Sequence, residues 1–207
     1  MLTILGRKNS ANVQKVLWYL AELELPYSHQ NIGGHYGGNR TPAVLRLNPN
    51  GLIPILLDDE FEVWESNTIL RYLATRFGPT SWYPAETRHR SRSDRWLDWQ
   101  LGTLNQALTP LYVGLVRTPA EKRDYSLISN YRIQTEELFS LLDVALASSA
   151  YLAGEKPTIA DIACGVFAYR WFELGMQEPA ETPHLKRWYD SLTERCGYRT
   201  HVMTGLS

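Results

Sequence analysis

The residues best suited to chemistry lie in two nearby stretches, Asn48-Pro49-Asn50-Gly51-Leu52-Ile53-Pro54-Ile55-Leu56 and Trp64-Glu65-Ser66-Asn67. Pro54 precedes a short apolar run, and proline is tolerated at a strand's first residue but not in its middle. An Ile-Pro bond there can be cis, which would turn the N–H and C=O of Ile53 out of the sheet to pair with an extended peptide. Most such bonds are trans, so the plainer expectation is a tight turn ahead of a strand. At the second stretch, alternation gives way to helical spacing in Ile69, Leu70, Tyr72 and Leu73. A helix N-terminus attracts a carboxylate, and Glu65 beside it could take an ammonium. The pair would suit an α-amino acid head. Ordinary capping by Ser66, with Glu65 favouring the helix dipole, accounts for the same residues.

These residues must be held by alternating strands and helices. Leu2 to Gly6 reads as a strand, and Val13, Val16, Leu17 and Leu20 make Ala11 to Leu23 an amphipathic helix. Tyr27 to Ile32 is a second strand, which implies a right-handed βαβ unit with a parallel pair. The glycine-rich run 33–38 lacks the Lys-Ser or Lys-Thr of a phosphate loop. Thr41 to Leu47 is a short helix. Ile55 to Leu57 and Glu62 to Trp64 form a hairpin around Asp58-Asp59-Glu60, and Ser66 to Phe77 is a helix. Gly78, Pro79 and Pro84 punctuate a linker. Beyond it the pattern is helical: Arg90 to Leu115, Ala120 to Leu146, a helix opened by Thr158-Ile159-Ala160-Asp161 in the manner of a capping box, and His184 to Arg195.

The 207 residues, 44% hydrophobic with a net charge of −1, allow one large or two small domains and point to no nucleic-acid or membrane partner. The start of the chain moves straight into a strand without a signal peptide's apolar region, so a cytoplasmic protein is expected. Cys164 and Cys196 make no disulfide framework, and Cys164 lies among small apolar residues as a core position. The five histidines show no ligand spacing, so no metal is expected.

The two motifs in this order, with Ser10-Ala11-Asn12-Val13-Gln14-Lys15-Val16 opening the first helix, resemble the glutathione S-transferase family along the whole chain. The resemblance implies an α/β thioredoxin-like N-terminal domain (1–78), a linker (79–87) and an all-α C-terminal domain (88–207). It implies glutathione as co-substrate, with Ile53, ahead of Pro54, pairing with its cysteinyl backbone and Glu65 and Ser66 holding its γ-glutamyl head. Asn39 and Leu52 match positions near the glycyl end and the ligand backbone, and Gln100 one that reaches across a homodimer to the γ-glutamyl end. Histidines stand near the glycyl end in the insect-type classes, where this chain has Asn39 and Gly51. The family's sulfur donor falls on Ser10, and a related class has Thr and Asn at positions 10 and 12, so either Ser10 or Asn12 contacts the thiolate. Ser10 could equally cap its helix. No Tyr or Cys stands there, which marks a bacterial serine/asparagine type. Tyr112 and Trp171 are candidates for the pocket of a small hydrophobic electrophile, and core packing fits each as well. Conjugation is the implied activity. A glutathione-dependent disulfide or peroxide reductase and a non-catalytic binding protein of the same fold are the alternatives.

Overall fold

The computed structural model describes residues 1–176 and 181–207. Strands β1 (Leu2–Leu5), β2 (Tyr27–Gln30), β3 (Ile55–Asp58) and β4 (Phe61–Trp64) alternate with helices α1 (Ala11–Glu22), α2 (Pro42–Leu47) and α3 (Ser66–Arg76). The sheet order is β2-β1-β3-β4, with β1 parallel to β2 and antiparallel to β3, and β3 antiparallel to β4. This is the thioredoxin-like arrangement, and the elements fall close to their expected bounds. Register puts Ile4, Leu56 and Val63 side by side across three strands, and all three belong to the buried core. Within the glycine-rich run, Gly34–Tyr36 forms one tight helical turn.

The rest is helical. Helices α4 (Thr87–Trp99) and α5 (Asn105–Tyr112) are joined by a wider π-type turn at Gln100–Leu104, and a second such turn, Val113–Arg117, follows. The expected single long helix is therefore interrupted by two wide turns, and Pro110, which lacks an N–H, sits between them. The second long helix begins later than expected. A short turn at Ala120–Lys122 precedes α6 (Tyr125–Leu146), because Asp124 caps its start by accepting from the Leu127 N–H at 3.0 Å. Helices α7 (Ile159–Glu173), α8 (Pro183–Thr193) and α9 (Cys196–His201) complete the domain, and α9 has no counterpart in the sequence reading.

Helix α1 is less amphipathic than its pattern suggests. Every residue from Val13 to Leu20 is buried, Gln14 and Lys15 included, because α1 packs against α3, α7 and α9. Gly165 on α7 permits this: a Cβ there would lie 2.8 Å from Leu192 and 3.0 Å from the Trp18 ring. Arg195 fastens the same seam, donating to Glu22 through Nε at 2.8 Å. Among the described residues, no helix is long and apolar enough to cross a membrane.

Candidate functional site

The Ile53-Pro54 bond is cis, so the tight trans turn gives way to the alternative that frees the backbone of Ile53. Among the described residues, neither the N–H nor the C=O of Ile53 takes a backbone partner. The loop ahead of it is braced from within. Asn48 Nδ2 donates to the Leu52 carbonyl at 2.9 Å, and Asn39 Nδ2 donates to the Gly51 carbonyl at 2.7 Å. Gly51 is required here: its φ is +62°, and a Cβ would come within 3.2 Å of the Asn39 carbonyl oxygen. Asn39 therefore acts first as a brace, and Leu52 stands 57% exposed at the rim.

At the start of α3 ordinary capping is not what is found. Glu65 occupies the cap position with φ +67° and ψ +114°, and its exposed carboxylate accepts nothing from the helix. Such a conformation costs a non-glycine residue on the order of 1–3 kcal/mol, and strain of this kind gathers at ligand sites. The Ser66 hydroxyl also leaves the helix alone and donates to Asn12 Oδ1 on α1 at 3.2 Å. The first N–H bonded within the helix is that of Ile69, to the Glu65 carbonyl at 2.9 Å. The N–H groups of Ser66 to Thr68 are left with the partial positive charge of a helix start.

Ser10 has the backbone of an N-cap, yet its hydroxyl caps nothing and takes no partner among the described residues. Asn12 accepts from Ser66 through Oδ1, which leaves its Nδ2 as a donor. Ser10, Asn12 and Ser66 thus stand where two helices begin, with hydrogen-bonding capacity to spare.

Beneath them lies a buried polar network absent from the sequence reading. Lys15 is wholly buried on α1, and its Nζ donates to Asn67 Oδ1 and Gln100 Oε1, each at 2.9 Å. Asn67 Nδ2 donates to the Leu97 carbonyl at 2.7 Å. One side-chain amino group ties together the helix of Ser10, the first turn of α3 and the helical domain. Burial lowers the Lys15 pKa to about 7, while Cys164 and Glu65 act to raise it and Arg170 to lower it. A lysine directly ahead of the apolar run Val16 to Leu20 was the available signal.

Gln100 and Trp171 sit elsewhere, and Tyr112 is buried beside Ser207. Gln100 is wholly buried in its own chain with Oε1 engaged by Lys15 and Asn67, so it cannot reach across a dimer. Trp171 is wholly buried and stacked on Phe139 with ring centres 5.2 Å apart, a core residue and not a pocket wall. Tyr112 is 2% exposed, and its hydroxyl donates to the Ser207 carbonyl at 2.8 Å and accepts from the Ser207 N–H at 2.9 Å. Trp171 and Tyr112 therefore do not share one cleft wall. Burial raises the Cys164 thiol pKa above its usual range, as befits an inert core residue. Among the described residues, no three His, Cys, Asp or Glu side chains gather as metal ligands.

Residues 9–76 match the glutathione S-transferase N-terminal domain, and residues 106–195 match the glutathione S-transferase C-terminal domain. The chain belongs to the glutathione S-transferase family. It is 42% identical to glutathione S-transferase GstB of Escherichia coli K12, over the full length of both proteins. It is 31% identical to the disulfide-bond oxidoreductase YfcG of the same organism, covering 89% of this chain and 86% of that one. The theta class glutathione S-transferase of Xanthomonas axonopodis pv. citri, solved with glutathione bound, superposes with a TM-score of 0.95 at 43% identity, covering 100% of this chain and 99% of that one.

Proposed function

We propose that the protein is a glutathione transferase of the serine/asparagine type, acting in the cytoplasm on small hydrophobic electrophiles. Glutathione lies with its cysteinyl backbone on the freed N–H and C=O of Ile53 beside Pro54. Its γ-glutamyl carboxylate meets the free N–H groups of α3 and the Ser66 hydroxyl, which turns its hydrogen from Asn12 to the ligand, and its ammonium meets Glu65. The glycyl end runs past Leu52 towards the loop braced by Asn39. The sulfur faces Ser10 and Asn12. The observation that carries this reading is the start of α3, where a strained Glu65 and the Ser66 hydroxyl both forgo capping.

A free thiol of this kind has a pKa of about 8.5, and each unit of depression needs about 1.4 kcal/mol of preference for the anion. One or two donors at the α1 start can supply that. The thiolate then attacks the electrophilic carbon, a C–S bond forms, and a leaving group such as halide departs with its electron pair. Glu65→Ala tests the binding mode. Calorimetry should show glutathione affinity lowered about tenfold or more in a folded protein, the cost of a lost charged hydrogen bond, and unchanged affinity would refute the assignment.

The likeness to the oxidoreductase YfcG favours a second reading, a glutathione-dependent disulfide or peroxide reductase. The two share a thiolate and differ in the electrophile, so turnover of an aryl halide, an organic peroxide and a mixed disulfide separates them.

We also propose a two-fold homodimer. An open groove of about 1030 Å³ runs along β4, α3 and α4 with Phe61, Trp64, Tyr72 and Tyr83 in its walls, and Phe61 is 57% exposed. Aromatic side chains exposed together along one groove are what an interaction face presents, and a second copy is the occupant we assign to it.

A further inference from the structure

One turn ahead of Ser10 lies a cluster of cations that the proposed reaction does not use. Arg7 Nη1 donates to Asn9 Oδ1 at 2.6 Å, and Arg170 Nη2 reaches the Asn9 carbonyl at 3.4 Å. The Arg170 guanidinium lies 4.2 Å from the centre of the Tyr112 ring, and that of Arg117 lies 5.2 Å from the same ring. Three guanidiniums thus surround Asn9 and Tyr112, and none forms an ion pair with a side-chain carboxylate among the described residues. Burial is the first influence on their acidity, and their repulsion of one another adds to it. Burial, then Arg117, lowers the Arg7 pKa, and burial with Arg117 and Arg7 brings Arg170 to about 10, while Tyr112 opposes both shifts. Arg117 is held by Ser207, the last residue of the sequence, whereas Arg7 and Arg170 meet only the uncharged oxygens of Asn9, and cations so placed call for an anion.

The space for one is present. A cavity of about 230 Å³ is lined by Arg7, Asn9, Gly34, His35 and Arg117, with no acidic side chain in its wall among the described residues. Donors already converge on a single oxygen beside it: Arg117 Nε at 3.2 Å, Arg117 Nη2 at 2.9 Å and the Tyr112 hydroxyl at 2.8 Å all meet the Ser207 carbonyl. In this conformation the fork and the hydroxyl hold Ser207, and a planar carboxylate that displaced it would meet the same donors. The Ser10 N–H bonds the Arg7 carbonyl at 3.1 Å, so the cavity adjoins the proposed thiolate.

Resting on the transferase reading, we propose that this cavity is a subsite for a carboxylate carried by the second substrate. The favoured electrophiles are then small acids with an apolar body. The test pairs 4-chloro-3-nitrobenzoate with its methyl ester in the wild type and in Arg117→Gln, whose side chain is at the surface. Comparing the acid-to-ester ratio of kcat/KM between the two proteins cancels the intrinsic reactivity of each compound. The ratio should fall about tenfold or more in the variant, chiefly through the KM of the acid. A ratio within about twofold of wild type overturns the proposal, and a raised glutathione KM with an unchanged ratio assigns Arg117 to the glycyl carboxylate instead. Turnover of neither compound overturns the transferase reading alone, since tryptophan-fluorescence titration with both compounds still decides. Tighter binding of the acid that Arg117→Gln abolishes upholds the subsite, and equal binding of acid and ester removes it.

Discussion

At the scale of single residues, Ser10 and Asn12 are distinguished by what they leave undone: one caps nothing, and the other binds Ser66 through its oxygen and keeps its N–H₂ free. If both donate to the sulfur, their effects should not add, because each favours the same anion. Titration of thiolate absorbance for bound glutathione should show a raised pKa in Ser10→Ala and in Asn12→Ala, and a near-solution value in the double variant. Their kcat/KM should fall by more than binding weakens, and a double variant that keeps the wild-type pKa would move the activating group elsewhere. Lys15 gives a second test. Its folded pKa of about 7 lies below the ordinary 10.5. Between those values the unfolded chain holds the proton and the folded chain does not, so unfolding takes up a proton and becomes harder as pH rises. The contribution is full above the unfolded pKa, is lost as pH falls to about 7, and is level below that. Urea unfolding of wild type and Lys15→Met at pH 7 and pH 9 should show the wild type gaining on the variant by up to about 1.4 kcal/mol per pH unit. A difference independent of pH would mean that Lys15 stays charged inside the fold.

At the scale of elements, α7 shows how one side chain organises several. The Asp161 carboxylate accepts from the Thr158 N–H at 2.8 Å and its hydroxyl at 3.2 Å, completing the capping box, and also from Leu152 N at 3.0 Å and Trp188 Nε1 at 2.9 Å. A bare cap is worth about 0.5–2 kcal/mol. Here Asp161→Ala also strands buried donors at about 1–3 kcal/mol each, so denaturant titration should show a loss of about 2–5 kcal/mol with specific activity retained per folded molecule. Normal stability with lost activity would make Asp161 part of the chemistry. The cap was legible because its residues are neighbours in sequence; Ile53-Pro54 and Glu65-Ser66 stood out for the same reason, but the cis bond and the uncapped helix start could not be chosen over the plainer alternatives. Gln100 and Trp171 were misjudged for the opposite reason. Whether a side chain on a helix meets solvent, a ligand or the core depends on elements far along the chain, and α3, α6 and α1 enclose these two. The arginine cavity was illegible on the same ground, since Arg7, Arg117 and Arg170 come from three separate segments. Only Arg170, a charge inside the buried helix α7, stood out of place in its own stretch of sequence.

At the scale of the whole molecule, the two domains share α1 as a common core, and the surfaces they leave open divide by character. The arginine cavity faces the proposed electrophile side, whereas the groove along β4 and α3 is aromatic and includes Glu65 in its wall. Two of its cations are matched within the chain, Arg71 to Asp94 at 2.7 Å and Asp98 at 2.8 Å and Arg76 to Asp58 at 2.7 Å, while Arg90 lies over the Tyr83 ring and donates to the Pro84 carbonyl. A two-fold interface here would bury the exposed Phe61 and Trp64 of both copies, a self-complementary patch of the kind closed dimers use. Light scattering at micromolar concentration should therefore give twice the 23.7 kDa of the chain. Phe61→Glu puts a charge into that patch while leaving the core untouched, and should yield a folded monomer. Because Glu65 borders the groove, the monomer should also bind glutathione more weakly than the dimer, although Gln100 stays inside its own chain throughout. A wild type that is monomeric at these concentrations refutes the interface, and a monomeric variant with undiminished glutathione affinity separates assembly from the γ-glutamyl site.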